Sequence, residues 1–251
     1  MSISTEIQRI MTAKADIKAA IEEKGVTVGD GTIDTYAEKI GEISGGGSGE
    51  DYLHYAQTVQ YIRRDLIDQK EITVNLNTAN TLQNLFRFDG FSEAANKKVE
   101  HITVNCPNAV TSVGSVFHAT SPNDTVLKRI TFNVNTSKAT FVTNMFRGCE
   151  ALDTIDGTPL DFSSMVDTQI NFLNLCTSLV DIRFVPNTIP VAISFTSTQK
   201  LSAESIQSII DGLADLTGGT AQTLTLHATV GGKLTDEQKA TITAKNWTLV
   251  Y

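Results

Sequence analysis

The chain has 251 residues, of which 41% are apolar and only 7% aromatic, and its net charge is −8. This length suits one elongated domain with a small accessory module, and the scarcity of aromatics favours a thin repeated core. The negative charge argues against nucleic acid as a partner, because phosphate binding needs clustered Lys and Arg. No apolar run is long enough to cross a bilayer, so no membrane partner is expected.

Residues 3–24 are predicted to form an amphipathic helix whose apolar side chains recur at alternating steps of four and three. This spacing is typical of a coiled-coil seam, and isoleucine at both seam positions favours a trimer. One lysine interrupts the seam, and a single polar seam residue can fix the register of the helices. The alternative is an ordinary helix packed on the rest of this chain. The seam consists of Ile3, Ile7, Ile10, Lys14, Ile17 and Ile21.

A second helix is predicted from about Ile33 to Ile43, packed on the first as a hairpin. Residues 45–50 are rich in glycine and form a flexible linker; no Gly-Lys-Ser/Thr follows to make them a phosphate loop. The linker separates an attachment module, residues 1–44, from a repeat domain, residues 51–200. Residues 51–68 are interpreted as the N-terminal cap of that domain, because its first strand would otherwise expose an unpaired edge.

Near-copies of one short motif recur between residues 72 and 184, with steps of 30, 28, 25 and 27 residues between their isoleucines. One unit cannot bury its apolar face alone, so the units must stack and add one parallel strand each. An aromatic or large apolar pair follows the anchors, as in Leu85-Phe86 and Val116-Phe117. The anchors are Ile72-Thr73-Val74-Asn75, Ile102-Thr103-Val104-Asn105 and Ile130-Thr131-Phe132-Asn133, followed more loosely by Ile155 and Ile182-Arg183-Phe184.

Alternation along these strands places the isoleucines in the core and Thr73, Thr103 and Thr131 in one outward row. This row is the candidate display face, and a merely solvated sheet face is the alternative. The strands end in Asn75, Asn105 and Asn133, whose stacked amides could hydrogen-bond along the sheet. That asparagine ladder is a hypothesis.

The repeat motif does not recur in residues 201–251, which are predicted to form an α/β C-terminal cap. A helix begins at Ser202 and carries one apolar face. A strand over residues 223–227, a capping box formed by Thr235 and Gln238, and a closing strand over residues 247–251 follow. The cap is expected to continue the sheet and seal its core.

The three cysteines are Cys106, Cys149 and Cys176. Because Cys149 and Cys176 hold equivalent repeat positions, we interpret them as small buried apolar side chains rather than as a disulfide or a metal pair. An odd count, together with an N-terminus that shows no secretion signal, fits assembly in a reducing cytoplasm.

No motif with catalytic spacing is evident, and the four histidines are scattered without a second His or Cys at metal spacing. Asp153 and Asp156 could hold a weak calcium ion, with a solvated turn as the alternative. We therefore expect no enzyme, no cofactor and no metal site.

The stretch Thr143-Asn144-Met145-Phe146-Arg147-Gly148-Cys149-x-x-Leu152-x-x-Ile155 resembles the BspA-like leucine-rich repeat, in which Met-Phe and Cys-x-x-Leu recur before each strand. Residues 201–249 resemble the end of many bacteriophage-encoded proteins of that kind. Residues 15–40 are similar to the opening module of phage tail and appendage proteins. The first two repeats depart from the pattern because they lack the cysteine and carry long insertions.

The resemblance implies a virion structural protein that is assembled in the host cytoplasm. The expected fold is mostly β with α: a parallel-strand leucine-rich-repeat-like solenoid with an α/β C-terminal cap and an N-terminal helical anchor. The expected role is an oligomeric fibre or baseplate-type appendage. Residues 1–44 would contact other virion proteins, and the repeats would face a host cell-surface glycan or protein. The alternatives are a capsid head fibre or decoration protein with a purely architectural role and, ranked lower, a bacterial surface adhesin.

Overall fold

The computed structural model describes residues 3–23, 27–28, 70–76, 79–88, 98–120, 125–166 and 171–251. The protein is a mixed α/β chain with parallel sheets, and it divides into two compact units, residues 1–53 and 54–251. The predicted second helix, linker and N-terminal cap lie outside the described residues. The elements are α1 (Ile3–Glu23), β1 (Glu71–Asn75), β2 (His101–Ala109), β3 (Arg129–Asn135), β4 (Thr154–Gly157), β5 (Ile193–Phe195), α2 (Ala203–Gly212), β6 (Gln222–Leu226), α3 (Ala228–Gly231), α4 (Asp236–Ala244) and β7 (Trp247–Val250).

The first sheet contains the repeat strands in the order β1-β2-β3-β4, all parallel. Ile72, Ile102, Ile130 and Ile155 are register partners and all are buried, so the anchors form one continuous row in the core. Side chains alternate between the two faces of a strand, which is why the period-two pattern of the sequence was sufficient to predict this row. The predicted strands at the first four anchors are confirmed.

The fifth anchor does not become a strand of this sheet. Around Ile182 and Phe184 the structure has only isolated parallel bridges, one of them between Leu160 and Phe184. On the side of this anchor that faces away from β4, serine side chains of helix α2 take the backbone donors. Ser205 Oγ accepts from Ile182 N–H at 3.1 Å, and Ser208 Oγ accepts from Phe184 N–H at 2.9 Å. The expectation of one strand per unit is therefore wrong at this anchor.

Return loops of the first three repeats share one turn conformation. In each, a residue with positive φ is followed by an N–H that closes a four-residue turn, which is the geometry of a type II turn. Asparagine tolerates this left-handed conformation better than most residues, and it occupies two of the three positions. The positive-φ residues are Asn84 (62°), Ser115 (55°) and Asn144 (58°), and the closing bonds run from Leu85 N to Leu82 O, from Val116 N to Val113 O and from Met145 N to Val142 O.

The aromatic side chains that follow these turns stack on one another. The rings of Phe86 and Phe117 lie 5.1 Å apart and 4° from parallel, and those of Phe117 and Phe146 lie 5.6 Å apart and 8° from parallel. All three rings are fully buried. Further along, Phe146 and Phe172 switch to an edge-to-face contact at 5.6 Å. The aromatic pairs of the repeats thus form a continuous core, with the dispersion and quadrupole contacts that favour such arrangements.

A second parallel sheet, in the order β5-β6-β7, closes the C-terminal end. The predicted strands of the cap are confirmed, but the expectation that they continue the first sheet is wrong. Strand β5 precedes residue 201, so the cap's sheet begins inside the region that was predicted to belong to the repeats. Strand β5 and helix α3 were not predicted from the sequence, because segments of three and four residues are too short to show a hydrophobic period.

The helices of the cap begin as predicted. Ser202 Oγ accepts from Ser205 N–H at the start of α2, and Thr235 and Gln238 form both halves of a capping box on α4. At the other end of α2, Lys245 Nζ donates to the carbonyl oxygens of Ile210, Asp211 and Leu213 at 3.1, 2.9 and 2.7 Å. A cation at this end satisfies carbonyls that have no partner in the helix and opposes the negative pole of its dipole.

Candidate display face

The outward side chains of β1 to β4 form three straight rows, which we call the outer face. The middle row contains the three predicted threonines, followed by an aspartate on β4. Thr73 is exposed, whereas Thr103 and Thr131 are half-buried. The rows are Glu71-His101-Arg129-Thr154, Thr73-Thr103-Thr131-Asp156 and Asn75-Asn105-Asn133.

The predicted asparagine ladder is confirmed. Asn105 Nδ2 donates to Asn75 Oδ1 at 2.7 Å, and Asn133 Nδ2 donates to Asn105 Oδ1 at 2.8 Å. Each amide can donate and accept at once, so identical side chains on neighbouring strands can be linked in one direction. Beyond Asn133 the ladder meets Gly157, where φ is +94° and a Cβ would lie 2.6 Å from Asn133 Oδ1. Glycine is therefore required at this end of the ladder.

A histidine of the neighbouring row contacts two threonines of the middle row. His101 Nε2 lies 3.0 Å from Thr131 Oγ1 and 3.5 Å from Thr103 Oγ1. The shorter contact crosses from β2 to β3 and holds the Thr131 hydroxyl in one orientation. The outer face is therefore a set of fixed polar groups rather than a row of freely rotating side chains.

Opposite charges on the outer face and at its edge are paired. Arg129 forms a salt bridge with Asp156 across β3 and β4. Just before the strands, Glu100 lies between Lys128 at 2.9 Å and Lys70 at 3.6 Å. The hydrogen bond from Lys128, followed by the charges of Lys128 and Lys70, lowers the pKa of Glu100. These pairs leave little net charge on the face.

His101, Arg129 and Asp156 belong to the outer face but were not predicted from the sequence. The signal was present, because His101 precedes Thr103 by two residues and Arg129 precedes Thr131 by two, which places each pair on one side of its strand. Asp156 follows Ile155 directly, so it also points away from the core. Only their pairing across strands could not be deduced, because it depends on the register.

The predicted seam lies on α1, and its described isoleucines differ in how much of each side chain is exposed. Ile7 is 53% exposed and Ile17 is 39% exposed, whereas Ile21 is buried at 3%. Lys14 is half-buried, and the side chains of Ile3 and Ile10 lie outside the described part. Part of the seam is therefore covered, whereas Ile7 and Ile17 are exposed.

Buried thiols tie successive repeats together. Cys149 Sγ donates to Phe117 O at 2.9 Å, and Cys176 Sγ donates to Phe146 O at 3.0 Å. Burial raises the pKa of both thiols well above the usual value, so they stay protonated and act as weak donors. Both thiols are free and buried, and their interpretation as core side chains is confirmed.

The candidate calcium position finds no support in the described residues. Within them, no three His, Cys, Asp or Glu side chains are grouped closely enough to hold a metal ion. Asp156 instead faces Arg129, and Asp153 lies on the turn before β4.

Comparisons of the chain with protein-family models, with curated proteins and with solved structures found no match. Among the described helices, none combines the length and apolar character that a bilayer crossing requires.

Proposed function

We propose that this chain is a structural protein of a bacteriophage particle, an oligomeric appendage of the fibre or baseplate type. Residues 1–44 would anchor it to other virion proteins, and the repeat domain would be displayed for attachment to a host cell-surface glycan or protein. It would be assembled in the host cytoplasm and reside in the virion. The observation that carries the proposal is the stacking of chemically equivalent residues from repeat to repeat.

Three independent stacks support a solenoid of BspA-like leucine-rich repeats as the architecture of residues 51–200. The isoleucine anchors are in register inside, the asparagine amides are linked outside, and the phenylalanine rings stack beside them. The first three repeats contact one another through the same groups. Such one-dimensional stacking makes a long, rigid surface, which suits a role in binding or construction.

The helix α1 supports oligomerisation. Its exposed Ile7 and Ile17 belong to a seam in which isoleucine occupies both kinds of position, and this composition favours three-stranded coiled coils. A second and third copy of this chain would bury these side chains. The half-buried Lys14 would set the register of the three helices at some cost in stability.

The test is the mass in solution of the full-length chain, measured by light scattering. We expect three times the chain mass of 27.2 kDa. Replacing Ile7 and Ile17 together by aspartate should produce a monomer, because charges cannot be buried in an isoleucine seam. The matched control replaces Ala15 and Ala19, which are exposed on α1 away from the seam, by aspartate and should remain a trimer. A monomeric full-length chain would refute the self-assembling appendage.

A capsid head fibre or decoration protein with a purely architectural role is the second candidate. It is favoured by the polar contacts that the outer face makes within itself, in the asparagine ladder and in the Arg129–Asp156 pair. It predicts the same trimer but no adhesion to bacterial cells. Binding of the fluorescently labelled full-length chain to a panel of bacterial species separates the two roles.

A further inference from the structure

Oxygen atoms at the end of α2 surround a single ammonium group. Lys245, the residue after α4, places its Nζ within hydrogen-bond distance of four oxygens from two other parts of the chain, and we call these four atoms the oxygen cage. An ammonium group has three hydrogens, so the oxygen cage satisfies all of them. Its members are Ile210 O at 3.1 Å, Asp211 O at 2.9 Å, Leu213 O at 2.7 Å and Asn187 Oδ1 at 3.1 Å.

Main-chain hydrogen bonds hold the oxygen cage in place without help from the lysine. They join the turn at residues 187–189 to residues 211–214, the two segments that supply most of the cage. Because these bonds do not involve Lys245, we expect the oxygen cage to keep its shape when that side chain is shortened. The bonds run from Asn187 N to Asp211 O, from Thr188 N and Ile189 N to Gly212 O, and from Ala214 N to Ile189 O, at 2.8–3.0 Å.

The surroundings of the oxygen cage favour a positive charge. The cage lies at the C-terminal end of α2, where the last carbonyls lack helical partners and the helix dipole is negative. Burial lowers the pKa of Lys245, whereas the carboxylates of Asp211 and Asp215 oppose this effect and favour the ammonium form. A set of acceptor atoms in a negative potential selects a cation that donates hydrogen bonds.

The size of the oxygen cage distinguishes between cations. Its oxygens lie 2.7–3.1 Å from the Nζ atom. Magnesium requires oxygens at about 2.0–2.1 Å and calcium at about 2.3–2.6 Å, so the fixed cage is too wide for either. Charged N–H donors contact oxygen at about 2.7–2.9 Å, which the cage matches.

We propose that the oxygen cage is a binding site for a primary ammonium ion, R–NH₃⁺. In the native chain Lys245 fills the site from within, and a free alkylammonium ion fills it when that side chain is shortened. The stabilisation by Lys245 then comes from its ammonium group in the cage and not from the packing of its methylene stem.

The experiment measures thermal unfolding of the full-length Lys245→Ala variant by the fluorescence of Trp247, in about 0.5 M methylammonium chloride and in the same concentration of tetramethylammonium chloride. Both salts give one ionic strength, but the tetramethylammonium ion has no N–H and is too large for the cage. We expect the Tm of the variant to be about 3–6 °C higher in methylammonium chloride, which corresponds to an about tenfold rise in the ratio of folded to unfolded chain. The native chain should show no such difference, because its site is already filled.

Two further variants make the test specific. Lys233→Ala removes an exposed lysine just after α3 and should unfold at the same temperature in both salts. Adding Asn187→Gly to Lys245→Ala removes one cage oxygen and should weaken the rescue severalfold. Glycine is the replacement there because φ of Asn187 is +58°.

Equal Tm values of Lys245→Ala in the two salts overturn the inference, since water would then fill the oxygen cage as well as an ammonium ion does. A difference of the same size in the native chain or in Lys233→Ala also overturns it, because the effect would then be a general one of the salt. If Lys245→Ala does not fold in sodium chloride, it is refolded from urea in each of the two salts. Recovery of the native Trp247 emission in methylammonium chloride alone supports the site, and failure in both salts refutes it.

Discussion

The asparagine ladder offers the sharpest test of the repeat architecture. Asn105 makes two ladder bonds, whereas Asn75 and Asn133 each make one. Each of the three asparagines is replaced by alanine at an outward strand position. The change in strand propensity is therefore the same in all three variants. A net hydrogen bond is worth about 0.5–1.5 kcal/mol, with solvent-accessible bonds near the lower end. We expect losses of about 1–2 kcal/mol for Asn105→Ala and about half of that for each end of the ladder.

The assay is urea unfolding followed by the fluorescence of Trp247, which is the single tryptophan of the chain and is 3% exposed in β7. Far-UV circular dichroism on the same samples checks that both probes report one transition. The double variant Asn75→Ala with Asn105→Ala completes a thermodynamic cycle. Its coupling energy should be about 0.5–1 kcal/mol, the value of the shared bond.

Equal losses for the middle and the ends would refute the reasoning, because the number of bonds would then have no effect on stability. A coupling energy of zero would show that the amides contribute individually through solvent and not through one another. The slope of the unfolding free energy against urea concentration could also change while the urea midpoint stays the same. That result would point to an altered unfolded state and would also contradict the ladder.

Three further predictions concern single positions. Ser115→Asn should stabilise the chain by about 0.5 kcal/mol in urea unfolding, because asparagine tolerates positive φ better than serine; a loss would contradict the shared turn. Cys149 and Cys176 should not react with Ellman's reagent at pH 8 until urea unfolds the chain, because burial keeps both thiols protonated; rapid reaction of the folded chain would refute this. Lys245→Met should cost about 1–3 kcal/mol in thermal unfolding, because three carbonyls of α2 and the turn after it lose their donor. The control is Lys233→Met, at an exposed position just after α3.

The threonine and asparagine rows of the outer face were predictable from the sequence. Residues two apart on a strand lie on the same side of it, whichever strands are its neighbours. The starts of α2 and α4 were also predictable. A helix cap such as Ser202 or Thr235 bonds to an N–H three residues away, so the whole interaction lies within the local sequence.

The contacts that complete the outer face were not predictable in the same way. His101 meets Thr131 across 30 positions of sequence, and Arg129 meets Asp156 across 27. Such contacts depend on which strands are neighbours and on their register, and a shift of one residue would separate both pairs.

Sequence periodicity by itself therefore determined the helix α1, the repeat strands, the buried isoleucine row and the outward asparagines, because alternation and repetition are properties of the chain alone. Only the tertiary structure decided where the first sheet stops. Ser205 and Ser208 of α2 occupy the backbone donors of Ile182 and Phe184. Because a backbone N–H that donates to a side chain is no longer available to a strand, no further strand pairs on that side of the fifth anchor, and the second sheet forms separately.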